Sequence, residues 1–187
     1  VDPTSYKSAH KKYYEDYLNG VLDITDFLRF QLKVLGENNM NLLMEWRKDF
    51  FEEKIKPVIL KKAYLLIDDH RKQGHELLII TATNSFIVEP IATEFRIDNL
   101  IACEPELNNQ EFTGNFTGIP SYAEGKVERF YAWLKNTGYQ VEESWFYSDS
   151  HNDIPLMMEV NHPVAVDPDE NLRNVATKMS WPIISLR

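Results

Sequence analysis

Two carboxylates four residues apart close the stretch Ser144-Trp-Phe-Tyr-Ser-Asp149-Ser-His-Asn-Asp153. Side by side, Asp149 and Asp153 repel each other unless a proton or a cation lies between them. Mg²⁺, a hard ion that takes oxygen ligands, suits such a pair. Taken alone, the D-x-x-x-D spacing also describes an acidic surface turn. A second chemical feature is Thr81, which follows the apolar run Leu77-Leu-Ile-Ile80 and precedes small and polar residues and then a helical pattern. A hydroxyl beside backbone N–H groups at a helix N-terminus makes a cradle for phosphate oxygens. Threonine also ends strands for capping reasons, so Thr81 leaves both readings open. The third is Lys126, at a helix start after Glu124-Gly125, with no other basic residue between Arg96 and it. The helix dipole disfavours a cation there, which hints at a function, although a solvated lysine fits the same pattern. His151 lies inside the acidic loop and is a candidate substrate contact; the other histidines lack ligand spacing.

The elements around these residues decide whether they can meet. Trp145-Phe146-Tyr147 has the content of a buried strand, and Asn152-Asp153-Ile154-Pro155 reads as a helix start. Asp149 is therefore expected where a strand ends and Asp153 where the next helix begins, the edge at which open α/β sheets bind ligands. Upstream, Thr4 to Lys56 is patterned as three amphipathic helices, the first ended by Asn19-Gly20 and the second closed by Gly36. Short polar joins between them predict a small helical bundle, with aromatic residues as its core. Pro57 marks a boundary, giving a helical unit over 1–56 and an α/β unit over 57–187.

From Val58 onward helices and strands alternate. A helix over 58–72 leads to Leu77–Ile80, a continuous apolar run that predicts a strand buried on both faces. Further strands are expected at 100–104, 145–147, 162–166 and 181–184, with a hairpin around Asn108-Asn109, Gly114 and Gly118. That order predicts a parallel sheet wrapped by helices.

Composition narrows the function classes. The 187 residues carry 43% hydrophobic and 26% charged side chains, ordinary for a globular protein. A net charge of −9 argues against a general binder of nucleic acid or anionic membrane. It leaves room for a small phosphorylated partner, because a metal and one lysine reverse the field locally. Cys103 is the single cysteine, which rules out an intrachain disulfide or a cysteine zinc site and fits a reducing cytoplasm. No run approaches the roughly 18 apolar residues of a membrane span. Phosphate-loop, dinucleotide-binding, zinc-protease and serine-hydrolase signatures are absent. Response-regulator receivers carry a similar set of groups but place their acidic residues first, whereas here the order is hydroxyl, lysine, paired aspartates.

Leu78-Ile-Ile-Thr81-Ala-Thr, Glu124-Gly-Lys126 and Tyr147-Ser-Asp149-Ser-His-Asn-Asp153-Ile-Pro-Leu resemble motifs two, three and four of the haloacid dehalogenase (HAD) superfamily. The chain is similar to the phosphoserine-phosphatase-like branch, and residues 1–56 match the helical cap of that branch in position. The resemblance implies a Rossmann-like α/β core beneath a helical cap, and a Mg²⁺-dependent phosphomonoesterase acting through an aspartyl-phosphate. It implies Asp149 and Asp153 at the metal, Lys126 neutralising charge on the nucleophile and transferring group, and Thr81 and the backbone of Ala82 on phosphate oxygens. Asn152 is implied as a substrate or phosphate contact, and Arg29 of the cap as a partner for a substrate carboxylate. Phosphoserine and histidinol phosphate are the substrate types suggested. The family's first motif, D-x-D-x-T/V on an apolar strand, has no match in these residues, and Val1-Asp2-Pro3 reads like the inside of a longer protein. The expectation is that the nucleophile lies outside this chain and that the 187 residues alone have essentially no turnover. The alternatives are a catalytically inactive HAD-fold binding protein and, less in keeping with the motifs, a phosphotransferase or dehalogenase.

Overall fold

The computed structural model describes residues 3–187; Val1 and Asp2 lie outside the described residues. Helix α1 (Pro3–Leu18) stops where Gly20 takes φ +68°, a left-handed turn that suits glycine. Helix α2 (Ile24–Gly36) is capped by Asp23, which accepts from the N–H groups of Thr25 and Asp26, and it buries Leu28, Leu32 and Leu35 along one stripe. Helix α3 (Met40–Phe50) is capped by Asn39 and loosens into a π turn at Phe51–Ile55 before a 3-10 turn at Lys56–Val58 that contains Pro57. Tyr6 stacks on Phe30 at 4.8 Å and Tyr13 meets Phe27 at 5.4 Å, which joins α1 to α2.

Helix α4 (Lys61–Lys72) is followed by β1 (Leu78–Asn84), α5 (Ser85–Phe95), β2 (Asn99–Asn108) and β3 (Glu111–Thr117). Then come α6 (Glu124–Thr137), β4 (Trp145–Ser148), a 3-10 turn at His151–Asp153 and α7 (Ile154–Met157). Strand β5 (His162–Val166), α8 (Glu170–Met179) and β6 (Ile183–Ile184) end the chain. The strands form two three-stranded sheets, β1-β2-β3 and β4-β5-β6. All pairings are parallel except β2/β3, whose two-residue turn places Asn109 and Gln110 at φ +50° and +68°. Two left-handed residues in succession are the geometry of a tight hairpin.

Gly36 does not end α2 by adopting a left-handed conformation. It is the last helical residue, and its lack of a side chain allows close approach: a Cβ there would stand 2.6 Å from the Gly114 nitrogen. The register of β3 slips between its pairs with Pro105 and Leu107, and Gly114 sits in that irregularity at φ +86°. Helix α2 thus lies directly on the hairpin, and Leu28, Leu32, Leu35 and Leu43 share one core with Phe86 and Cys103. The second core, Met157, Ala165, Leu172 and Ala176, sits between β5 and the helices α7 and α8.

The run 77–80 is half-buried rather than buried on both faces, because β1 is an edge of its sheet. Strand β4 is likewise an edge. Both edges line one cavity of about 860 Å³, walled by Leu78, Ile79 and Ile80 on one side and Trp145, Phe146 and Tyr147 on the other, with Leu66 of α4 and Trp133 of α6 between. This apolar trench separates the two sheets. Among the described residues no helix is long and apolar enough to cross a membrane.

Candidate active site

The loop before α6 fixes the position of Lys126. Ala123 takes φ +47°, and Gly125 donates its N–H to the Tyr122 carbonyl at 2.9 Å. A Cβ on Gly125 would lie 2.2 Å from the Pro120 oxygen, so only glycine allows this tight entry. From there Lys126 extends inward, its side chain 7% exposed, and donates to Asp153 Oδ1 at 2.5 Å. Asp153 is 12% exposed at its side chain and accepts a second hydrogen bond from Ser148 Oγ at 2.7 Å. The cation that the helix dipole disfavours is thus compensated by a buried carboxylate across the site. Mutual pairing is what allows both charges to leave water.

Asp149 begins the loop after β4. It is exposed, and its carbonyl accepts from the Asp169 N–H at 2.8 Å. Asp169 caps α8 and accepts from Leu172 N, His151 N and His151 Nδ1 at 2.8, 2.8 and 2.9 Å. Burial by itself raises the pKa of Asp169, but these hydrogen bonds outweigh it and hold the carboxyl below its ordinary value. His151 supports the acidic loop and stands outside the lining of the cavity, its Nε2 near the backbone of Gly20.

Helix α1 is tied to the same loop. Tyr17 donates to Ser150 Oγ at 2.6 Å, and Asn152 Nδ2 lies 3.4 Å from the Tyr17 carbonyl. Tyr122 donates to Asn152 Oδ1 at 2.8 Å. Burial, then the neighbouring Tyr17, Asp153 and Glu124, push the Tyr122 hydroxyl up to about 12. Asn152 is spent on holding Tyr17 and Tyr122 to the loop and does not line the pocket that Lys126 and Asp153 line.

Thr81 is not at the end of its strand. Strand β1 continues to Asn84, which caps α5 by accepting from Ile87 N, so the helix start lies four residues beyond Thr81. The pairing with β2 slips between Ile80 and Asn84, and within that bulge the Thr83 N–H donates to Thr81 Oγ1 at 3.1 Å. A bulge re-aims side chains at a sheet edge. Here it brings Thr81, Ala82 and Thr83 to a cavity of about 450 Å³ that Lys126, Asp149 and Asp153 also line. This cavity and the trench share Ile80, Phe146 and Tyr147, so one opens toward the other. Arg29 is elsewhere: its side chain is 62% exposed, 3.8 Å from Asp26, and outside the lining.

Sequence reasoning missed Ser148, Tyr17, Tyr122 and Asp169. For Asp169 a signal existed, an aspartate three residues before a buried leucine at a helix start. The tyrosines carry no local signal, since their partners lie far along the chain. As a metal site the donor chemistry fits Mg²⁺, which binds through one or two carboxylates plus water and phosphate. Asp149 offers an exposed carboxylate, whereas both oxygens of Asp153 are engaged by Lys126 and Ser148, which suits contact through water. No group of three or more His, Cys, Asp or Glu gathers for a metal among the described residues.

Fold and site together define an α/β protein whose cavity opens at the carboxyl ends of parallel strands. The chain belongs to the haloacid dehalogenase-like hydrolase family, whose model matches residues 3–158. It is 38% identical to a histidinol-phosphatase of Neisseria meningitidis serogroup C (strain 8013), over 100% of this chain and 86% of that protein. The crystal structure of a protein of unknown function from Bordetella pertussis Tohama I superposes with a TM-score of 0.92 at 35% identity, covering 100% of this chain and 85% of that one. A substrate-bound phosphoserine phosphatase shares the fold, with a TM-score of 0.69 at 17% identity over 95% of this chain and 79% of that one. The resemblance read from the three motifs is borne out, as is the α/β class with parallel sheets flanked by helices.

Proposed function

We propose that the protein is a Mg²⁺-dependent phosphomonoesterase acting on a small phosphorylated metabolite, of the histidinol-phosphate or phosphoserine type. The observation that carries this reading is the convergence of Thr81, Lys126 and the Asp149/Asp153 pair, from three separate stretches of the sequence, on one cavity. Thr81 Oγ1 and the Ala82 N–H bind phosphate oxygens, and Lys126 neutralises charge on the transferring group. Asp149 would hold the metal, Asp153 would help to hold it while anchoring Lys126, and Ser148 keeps Asp153 oriented. Bound Mg²⁺ supplies charge that screens the repulsion between phosphate and an attacking carboxylate.

The carboxylate nucleophile of this reading is delivered by an extended segment bedded in the trench between β1 and β4. Support comes from two unpaired parallel edges facing one apolar cavity, which leads straight to the phosphate pocket. Backbone groups on both edges would pair with such a segment. Asp149 and Asp153 are the only carboxylates among the described residues lining the pocket, and both already have roles. The carboxylate attacks phosphorus as the bond to the ester oxygen breaks, the departing alkoxide takes a proton from a second carboxylic acid on the same segment, and water, giving its proton back to that group, then splits the acyl phosphate into phosphate and free carboxylate.

The test is phosphate release from p-nitrophenyl phosphate and small metabolite esters. Residues 1–187 alone are expected to release essentially none, and a chain that also supplies the trench segment to turn over in Mg²⁺ and stop with chelator. Turnover by residues 1–187 at rates usual for phosphatases would overturn the assignment of the nucleophile. No turnover in any form would leave a binding protein on the same fold.

A further inference from the structure

Joined to the acidic loop through Tyr17 and Tyr122, one wall of the pocket comes from α1, α2 and the loop before α6, and it is rich in aromatic rings. Tyr13, Tyr14, Tyr17, Phe27 and Tyr122 line it, with His10 and Gln31 as its other polar members. Lys126 is the one lysine or arginine among the described lining residues, and it is buried against Asp153 at 2.5 Å. We propose that this wall selects phosphate esters whose alcohol portion carries a flat or cationic group, such as an imidazole or an amine, and rejects those carrying a carboxylate. The proposal rests on the phosphatase reading above and adds which part of the substrate is chosen and by which residues.

Ring faces are electron-rich, so a cation or an imidazole edge placed over them is attracted. A carboxylate in the same position gives up its water and meets no free lysine or arginine, only the His10 imidazole. That is costly, because a charge taken out of water needs a partner. Arg29, the cap residue whose charge could have served, points away and pairs with Asp26 at 3.8 Å. The hydroxyls of Tyr17 and Tyr122 donate to Ser150 and Asn152, which turns their rings into a fixed surface. Tyr17 and Tyr122 are 6.4 Å apart, ring centre to ring centre, and both hold their protons more tightly than a free phenol, so these two rings carry no charge. The volume of about 450 Å³ is that of a small-metabolite site.

The experiment compares kcat/KM for an imidazole-bearing amino-alcohol phosphate with that for phosphoserine, in the form of the protein that turns over. An advantage of about tenfold or more for the first is expected, as one or two cation–ring contacts give. Tyr13→Leu and, separately, Tyr14→Leu should lower that ratio about fivefold, and Gln31→Arg should lower it by improving phosphoserine. Equal or better use of phosphoserine, or variants that change both esters by the same factor, would overturn the proposal. Calorimetric binding of the two free alcohols to residues 1–187 reads the same preference without catalysis. Absence of phosphate release from every ester would count against the phosphatase reading, whereas a preference for serine over the imidazole alcohol would count against the selection.

Discussion

At the scale of single residues, the site divides into groups that work through charge and groups that hold them. Asp149 is exposed and makes no contribution to packing, so Asp149→Asn should fold normally yet bind Mg²⁺ at least about tenfold more weakly by calorimetry, as expected for removal of a charged oxygen ligand. Lys126 is the opposite case. Replacing it by Met strands Asp153 in a buried position, and a loss of about 3–5 kcal/mol in urea unfolding is expected. Leu at 153 in the Lys126→Met background should recover much of that loss, since a charge-free pair requires no partner. The four residues on which the reading rests, Thr81, Lys126, Asp149 and Asp153, were legible because each sits beside a change of period in the sequence. Asn152 and Arg29 were not. Asn152 is occupied by Tyr17 and Tyr122, partners far along the chain, whereas Arg29 pairs with Asp26 three residues before it on the same helix.

At the scale of elements, two backbone features set the site. Gly125→Ala places a methyl against the Pro120 carbonyl; a cost of about 1–3 kcal/mol and a lower kcat, through displacement of Lys126, should follow. Asp169 caps α8 and holds the acidic loop in the same stroke. Its folded pKa lies below the unfolded value of about 3.9, so its stabilisation is complete above that value and fades as pH falls through the folded one. Asp169→Ala should therefore lower the melting temperature at neutral pH by the equivalent of about 1 kcal/mol and flatten the acid limb of the stability profile. Most helices and strands could be read from period and caps. The length of β1 could not: its last residues, Thr81 to Asn84, are small and polar, and what keeps them extended is the bulged pairing with β2, a contact some twenty residues away in sequence. Gly36 misled for a related reason, since a glycine that ends a helix and a glycine that admits another backbone look alike in one dimension.

At the scale of the whole molecule, the α/β class was legible from the alternation of elements, whereas the division into two sheets was not, because an apolar run does not say which of its edges is paired. With both edges lining an apolar trench, the chain by itself is expected to self-associate, visible as concentration-dependent light scattering, and to disperse when an extended apolar peptide that fits the trench is added. The two halves of the pocket ride on opposite sides of this trench: Thr81 on β1, Asp149 and Asp153 on the loop and turn that follow β4. Whatever occupies the trench therefore works as a gauge block between two jaws, its thickness setting the gap across which hydroxyl and carboxylates face one another. Volume changes deep in the trench, far from any reacting atom, should then be felt as a change of calibre at the phosphate pocket.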